Sequence, residues 1–292
     1  MTVAPGSSGR GGVAGGVSGG GPGAAAVDGR AAPGASAPPA GAPALALREV
    51  TKRYGGVHAL RDVSLSVAAG EVCGLIGPNG AGKTTLFDIA SGVQAPTAGT
   101  VELDGRAITR EAPERRARRG LRRTFQRVQL YGHLTVEDNV LTALEWRGGG
   151  GGLLADLVDA PSRRSRERER RERVAGVLEE CGLTALRAAP AGALPVGQAR
   201  LVELARAIVD EPRVLLLDEP TSGLSPGEAE RFAAQVARLR DRGVAIVLVE
   251  HDMGFVMGQC DRIVVLDVGR VLAEGTPAEI QGDPAVRAAY LG

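Results

Sequence analysis

Cysteine, lysine and aromatic residues are scarce in this chain, and it has no long apolar run. Its 292 residues include three cysteines, 3% aromatic residues and, as the only lysines, Lys52 and Lys83. The cysteines are far apart and lack the spacing of metal ligands, which predicts reduced thiols and a cytoplasmic protein. No apolar stretch approaches the roughly 18 residues that a membrane-spanning helix needs, so we expect no such helix.

The chain also lacks an excess of charge, and its first part lacks any hydrophobic period. A formal net charge of +1 predicts no nucleic-acid or other polyelectrolyte partner. Residues 1–43 are almost wholly Gly, Ala, Pro, Ser and Val, without an aromatic residue. Such a segment buries too little surface to offset its ordering entropy, so we predict a disordered tail. A start codon assigned too early would produce the same extension.

A glycine-rich segment, here called the phosphate loop, is the most informative stretch. A short buried strand is predicted at 71–76 before it, residues 77–85 fit the motif G-x-x-x-x-G-K-[ST], and a helix is predicted from Thr84 to Ser91. In this order, backbone N–H groups and the helix dipole bind phosphate, while Lys83 reaches the terminal phosphates and Thr84 offers its hydroxyl to Mg²⁺. The predicted nucleotide-binding residues of the loop are Gly77, Pro78, Asn79, Gly80, Ala81, Gly82, Lys83, Thr84 and Thr85.

Two further apolar strands lead into polar residues that suit phosphoryl transfer. Residues 214–217 run into Asp218 and Glu219, and residues 244–249 are followed by Glu250 and His251. Continuous apolar strands belong to a parallel sheet, and the carboxyl edge of such a sheet is where α/β proteins bind ligands. We therefore predict that Asp218 holds the Mg²⁺ shell and that Glu219 polarises the attacking water. His251 is predicted to contact the γ-phosphate.

Two other features have competing interpretations. Tyr54, on a turn before the phosphate loop, is either a stacking platform for adenine or a half-buried edge tyrosine. Residues 106–127 carry nine arginines against two glutamates, which predicts a solvated face and leaves lipid headgroups or an acidic partner loop open. Other predicted elements are strands at 45–50, 63–67 and 100–106, helices from Thr135 to about Trp146, at 162–181 and from Ser225, a loop at 148–152, and a hairpin at 263–274.

In this order, the motifs resemble the nucleotide-binding subunit of an ABC transporter over residues 45–292. The resemblance implies ATP and Mg²⁺ as ligands, Tyr54 against adenine, and a role for Gln126 in both metal binding and catalysis. The motifs that carry it are Tyr54, the phosphate loop, a glutamine loop at Gln126, a signature at 194–198, the strand ending in Asp218 and Glu219, the turn 222–225 and the switch histidine His251.

The resemblance also implies a fold and its division. It predicts an α/β fold: a P-loop NTPase core of the ABC type, with a flanking antiparallel β portion and an inserted helical subdomain. The ABC domain would cover residues 44–292, with the core at about 44–130 and 205–275 and the helical subdomain at about 131–204.

A narrower resemblance concerns transport. The sequences R-T-F-Q at 123–126, E-H-D-M at 250–253 and A-Y-L-G at 289–292 are similar to the branched-chain amino-acid uptake ATPases. This implies solute import at the cytoplasmic face of the plasma membrane, through permease subunits fed by an external solute-binding protein. ATPases of lipid or lipopolysaccharide exporters have similar cassettes and remain an alternative. A soluble ABC protein acting on ribosomes or DNA is another class, which usually has two cassettes or a long coiled coil.

The signature departs from the family pattern. Pro195 and Val196 replace the serine and first glycine of Leu-Ser-Gly-Gly-Gln. The missing hydroxyl would normally touch the γ-phosphate of ATP bound to the opposite subunit. We therefore expect this chain to work beside a second, different ABC ATPase subunit.

Overall fold

Two β-sheets carry the fold. The structure, a computed structural model, describes residues 42–145 and 161–291. Residues 1–41 of the predicted tail therefore lie outside the described residues, and so does the glycine run at 148–152. The strands are β1 (Leu45–Tyr54), β2 (Val57–Val67), β3 (Val72–Ile76), β4 (Ala98–Leu103), β5 (Arg106–Ala107), β6 (Leu121–Arg123), β7 (Val214–Asp218), β8 (Ala245–Val249), β9 (Arg262–Asp267) and β10 (Arg270–Gly275).

The smaller sheet is antiparallel, with strand order β2-β1-β4-β5. Its first two strands are longer than predicted, because β1 continues to Tyr54 and β2 already begins at Val57. Only Gly55 and Gly56 remain between them, and Gly55 has a φ of 57°. A two-residue glycine turn joins antiparallel strands directly. Tyr54, which was predicted to lie on a turn, therefore pairs with Val57.

The larger sheet has the order β10-β9-β3-β8-β7-β6, in which only β10 runs antiparallel to its neighbour. Every residue of β3, β7 and β8 is buried, which confirms the prediction of a parallel sheet covered on both faces. The carboxyl ends of these strands lie at one edge. The phosphate loop follows β3 and Glu219 follows β7 directly. His251 lies two residues after the end of β8.

The helices pack on both faces of this sheet and form two apolar clusters with it. Thr135 and Ser225 cap their helices as predicted. The first of these helices ends at Thr142, before the predicted end at about Trp146, and a turn follows in which the Ala143 N–H donates to the Val140 carbonyl at 3.1 Å. The helices are α1 (Lys83–Ser91), α2 (Pro113–Arg118), α3 (Val136–Thr142), α4 (Pro161–Glu180), α5 (Val196–Ile208), α6 (Pro226–Asp241), α7 (Met253–Gln259), α8 (Pro277–Gly282) and α9 (Pro284–Leu291).

Helices α3, α4 and α5 pack on one another. Along the chain they lie between β6 and β7 of the larger sheet. Within 131–145 and 161–204 the structure has helices and turns but no strand. The division into a core and a helical subdomain stays a prediction. None of the helices in the described part of the chain has the length and apolar character required to cross a membrane.

The basic stretch at 106–127 is only partly a solvated face, which corrects the prediction. Arg116 is 1% exposed and donates to the carbonyls of Ile89, at 2.6 Å, and Ala90, at 2.8 Å. These carbonyls lie in the last turn of α1, where the helix dipole is negative, and the Ile89 carbonyl also accepts from the Gly92 N–H at 3.2 Å. A buried cation therefore stabilises the end of α1 opposite the phosphate loop. Arg122 and Arg123 are also largely buried, in ion pairs.

Candidate functional site

The phosphate loop follows β3 and packs tightly against its neighbours. Gly77 has a φ of 151°, and a Cβ there would lie 2.1 Å from the carbonyl oxygen of Leu266. Gly82 has a φ of 108°, and its Cβ would lie 2.7 Å from a methyl carbon of Leu60. Both positions therefore require glycine, for their backbone conformation and for space. The loop delivers the chain to α1, whose N-terminal N–H groups are oriented for an anion.

Lys83 occupies the first turn of α1 and points back over the loop. Its ammonium donates to the carbonyls of Gly77, at 2.6 Å, and Pro78, at 3.1 Å. The residue is 7% exposed. Burial lowers the pKa of this ammonium, and the nearby carboxylates of Glu219 and Asp218 oppose the shift. The positive charge is thus fixed between the loop and the two predicted acids.

Glu219 lies between two other predicted site residues. Its Oε2 accepts from the Gln126 side-chain amide at 3.0 Å, and its Oε1 lies 3.1 Å from His251 Nε2. The three residues come from the segments that follow β6, β7 and β8, so the parallel sheet aligns them at its carboxyl edge. Gln126 and His251 are exposed, whereas Glu219 is half-buried. A carboxylate oriented on both oxygens can accept a proton from a molecule in the cleft.

The backbone at Glu219 is strained, and neighbouring groups hold it. Its φ of 48° lies in the left-handed region, which costs a residue other than glycine about 1–3 kcal/mol. The Glu219 N–H donates to the Val249 carbonyl at 2.8 Å. Buried Glu250 accepts from the N–H groups of Thr221, at 2.8 Å, and His251, at 2.6 Å. Glu250 thereby fixes the segments that carry the glutamate and the histidine.

Asp218, the last residue of β7, forms an ion pair with Arg123. Asp218 Oδ2 accepts from Arg123 Nη2 at 3.1 Å, and Arg123 Nη1 donates to Asp88 of α1 at 2.6 Å. Burial raises the pKa of the Asp218 carboxyl, and the hydrogen bond from Arg123 opposes that shift. In the part of the chain that the structure describes, no side chain donates to the second oxygen of Asp218.

The oxygen donors at this edge fit Mg²⁺. Asp218 Oδ1 is free of side-chain donors, Thr84 exposes its side chain on the first turn of α1, and Gln126 uses its amide nitrogen towards Glu219. Carboxylate, hydroxyl and amide oxygens are the hard ligands that Mg²⁺ prefers. Across residues 42–145 and 161–291, no cluster of three or more His, Cys, Asp or Glu side chains could hold a metal alone. The donor set therefore suits an ion that brings phosphate oxygens with it.

Tyr54 is 48% exposed at the end of β1. Its hydroxyl donates to the Gln94 side chain, whose amide donates to Asp88 at 2.9 Å. The Lys52 ammonium lies 5.1 Å from the Tyr54 ring centroid. The Tyr54 hydroxyl is thus linked through Gln94 to Asp88 of α1, which leaves both interpretations of the ring open.

The signature segment begins α5. Pro195 precedes the helix without a side-chain cap, and Val196 is 57% exposed. Gly197 is buried against Glu228, since a Cβ there would lie 2.2 Å from a carboxylate oxygen. The start of α5 therefore has a proline where the family pattern has a serine, and an exposed valine where it has a glycine.

A groove of about 620 Å³ lies beside the glutamine segment. Phe125 and Tyr131 on its rim are 38% and 50% exposed, and the Arg206 guanidinium lies 5.3 Å from the Tyr131 ring centroid. Inside it, burial raises the pKa of Glu203, which accepts from the Phe125 N–H at 3.4 Å. Exposed aromatic side chains beside an arginine are typical of protein interfaces.

The sequence motifs did not identify several residues that shape the site. Arg123 and Glu250 lie within motifs quoted above, yet nothing in those motifs reveals their contacts. Asp88 and Gln94 lie outside every motif, and only the fold brings them between Tyr54 and Arg123.

The chain matches known families. Residues 60–222 match the ABC transporter family, and residues 270–292 match the branched-chain amino acid ATP-binding cassette transporter family. The high-affinity branched-chain amino acid transport ATP-binding protein BraF of Pseudomonas aeruginosa is 43% identical over 86% of this chain and 98% of its own length. LivG of Escherichia coli is 40% identical with the same coverage. LptB, the lipopolysaccharide export ATP-binding protein of Acidithiobacillus ferridurans, is 38% identical over 85% of this chain and 96% of its own.

Solved structures show the same fold. A nucleotide-free ATP-binding cassette from an ABC transporter superimposes with a TM-score of 0.75 and 32% identity, covering 86% of this chain and 100% of that one. The ADP conformation of MJ1267, an ATP-binding cassette of an ABC transporter, gives a TM-score of 0.74 and 31% identity, covering 86% of this chain and 99% of that one. The predicted α/β P-loop fold of the ABC type is confirmed.

Proposed function

This chain belongs to the ABC transporter family as one of its ATP-binding subunits, and on that premise we propose that it hydrolyses Mg²⁺-ATP to drive solute import through separate permease subunits. The observation that carries the proposal is the Glu219 carboxylate, oriented by Gln126 and His251 beside the phosphate loop. Phosphoryl transfer needs positioning and charge neutralisation, and these residues provide both.

ATP is proposed to bind along α1 and β1. The phosphate loop and the N-terminus of α1 receive the phosphates, and Lys83 exchanges the loop carbonyls for β- and γ-phosphate oxygens. Tyr54 stacks on the adenine ring. Thr84, Asp218 and Gln126 would hold Mg²⁺, which neutralises the charge that develops on the phosphate oxygens.

Hydrolysis is proposed to use Glu219 as the general base. Its carboxylate takes a proton from the attacking water, Gln126 orients that water, and His251 contacts the γ-phosphate. The two hydrogen bonds to Glu219 limit its side-chain freedom, so less entropy is lost as the reactants align.

Branched-chain amino acids, or a related polar compound, are the proposed solute. Support comes from the match of residues 270–292 and from the names of BraF and LivG. A lipid or lipopolysaccharide exporter is the second candidate, since LptB is also similar over most of the chain. A soluble ABC ATPase without a permease is a third class.

The permease is proposed to dock in the groove bordered by Phe125 and Tyr131. This groove adjoins Gln126, so a movement of the permease would reach a residue that holds the proposed base. Such docking places the subunit at the cytoplasmic face of the plasma membrane. An external binding protein would then act only through the permease.

The test is transport by the complete complex. The tagged chain is purified from detergent-solubilised membranes with its permease subunits and reconstituted in vesicles that enclose ATP on the side of the cassettes, with the solute-binding protein added outside. We expect ATP-driven accumulation of radiolabelled leucine, isoleucine or valine, with glycerol uptake as the background control. ATPase activity stimulated by lipopolysaccharide instead of amino acids would support the exporter, and purification without any permease would support a soluble ATPase.

A second cassette is proposed as the partner, and the two ATP sites should be unequal. ABC cassettes close head to tail, so this chain contributes its phosphate loop to one site and its signature to the other. The missing hydroxyl at Pro195 removes a hydrogen bond to a charged group, worth about 1.5–3 kcal/mol, which weakens the second site roughly ten- to a hundredfold. Lys83→Ala should therefore reduce transport more than the equivalent change in the partner. Equal losses, or full activity as a homodimer, would contradict this prediction.

A further inference from the structure

Arg123 joins the three elements that carry the proposed ATP site. It ends β6, three residues before Gln126. One side-chain nitrogen donates to Asp88 of α1, the helix that follows the phosphate loop, and another donates to Asp218 at the end of β7. The basic composition of its surroundings predicted a solvated face, whereas the structure buries its side chain to 7% exposure.

The guanidinium is held in one position. The rings of Phe87 and Phe125 lie 5.6 Å and 5.2 Å from it, and Nη1 also donates to the Ser91 hydroxyl at 3.2 Å. Aromatic faces and two carboxylates match the planar shape and charge of arginine, and a lysine could not contact both acids in this way.

The same contacts orient Asp218. Arg123 occupies Oδ2, and the Asp218 N–H donates to the Thr124 hydroxyl at 3.3 Å. Within the described ranges, Oδ1 receives no side-chain donor. One oxygen of a buried carboxylate is thus fixed by protein, and the other is left for a cation.

We propose that Arg123 is a positioning residue for Mg²⁺, which holds Asp218 so that its second oxygen faces the ion beside the phosphate loop. The proposal rests on the proposed role of Asp218 as a metal ligand. Groups that orient a metal ligand typically change metal affinity 10- to 100-fold when they are removed. Arg123 also ties that ligand to α1 through Asp88, so the ion and the phosphate loop keep a fixed relation.

A simpler role would be that Arg123 only neutralises two buried acids. In that case its loss would lower stability and weaken nucleotide binding to a similar degree with and without Mg²⁺. A positioning role predicts a loss confined to the contribution of Mg²⁺. The two roles therefore differ in a binding measurement that does not depend on turnover.

The experiment measures binding of adenylyl imidodiphosphate to the full chain by isothermal titration calorimetry, with excess Mg²⁺ and with EDTA. For Arg123→Met we expect the affinity gain from Mg²⁺ to fall roughly 10- to 100-fold, with affinity in EDTA changed less than about threefold. Arg123→Lys should lose less of the Mg²⁺ gain, because it keeps the positive charge. If the methionine variant does not fold, the lysine variant replaces it: a loss of the Mg²⁺ gain supports the positioning role, and an unchanged gain contradicts it. Thermal unfolding of each variant reports folding.

Arg122→Met is the matched control. Arg122 is adjacent on β6 and pairs with Asp210, so its side chain points to the opposite face of the strand. The Mg²⁺ gain of this variant should equal that of the unchanged protein.

Asp218→Asn tests the proposed metal site separately from the positioning role of Arg123. If this variant keeps the whole Mg²⁺ gain, Asp218 is not a metal ligand and the proposed metal site fails. If it loses the gain while Arg123→Met keeps it, because Arg123→Met binds normally or is weakened by the same factor in Mg²⁺ and in EDTA, only the positioning role of Arg123 is overturned.

Discussion

Glu219→Gln is expected to slow ATP hydrolysis by roughly 10²–10⁴-fold while ATP stays bound, because the amide cannot accept the proton that the general base takes from water. Its oxygen can still accept a hydrogen bond from Gln126, so the change removes basicity with little change of shape. Single-turnover release of phosphate measures the rate. Size exclusion in the presence of Mg²⁺-ATP should show a trapped dimer of cassettes.

The matched control for this variant is Glu211→Gln. Glu211 has a φ of 53°, also left-handed, and it is exposed before β7, whereas Glu219 follows that strand. The same chemical change in the same backbone conformation should therefore leave hydrolysis unchanged. Normal turnover of Glu219→Gln would show that Glu219 is not the base.

Lys83→Ala is expected to reduce ATPase activity of the reconstituted complex by at least roughly 10²–10³-fold, the loss typical when a donor to developing negative charge is removed. The variant loses the cation that the loop carbonyls hold near Glu219 and Asp218. Steady-state ATPase and nucleotide binding are both measured, because the change should affect each of them.

Its control is Arg270→Ala, which removes an exposed cation from β10. This variant should match the unchanged protein in ATPase activity and nucleotide affinity. If Lys83→Ala folds, as thermal unfolding would report, and still turns over ATP at the normal rate, the proposed nucleotide site is wrong.

Much of the fold could be predicted because strong local signals agreed with the tertiary structure. The buried strands β3, β7 and β8 are continuous apolar runs, and the glycine loop with its lysine constrains its own surroundings. Caps at Thr135 and Ser225 involve residues only three positions apart, so their pattern is visible in sequence. The end of β1 was wrong because pairing with β2 continues to Tyr54, and α3 ends at Thr142 instead of at about Trp146.

The arginines between 106 and 127 show what composition cannot reveal. Arg116, Arg122 and Arg123 resemble their exposed neighbours in sequence, yet they contact groups from α1, β7 and the end of α5. Besides local partners five to seven residues away, they contact groups 26 to 95 residues away along the chain. A pattern within a short window therefore predicts a charged surface, although long-range packing makes these three side chains part of the interior.

Two requirements conflict at Glu219: its left-handed backbone favours glycine, and its proposed role needs a carboxylate. Glycine would relax the strain there, but it would lose the contacts that the Glu219 carboxylate makes with Gln126 and His251. Variants selected for folding alone would drift towards glycine or asparagine at this position, and each step would be a loss for transport. On the proposed role of Glu219 as the base, glutamate at this position therefore serves turnover at a cost in conformational stability.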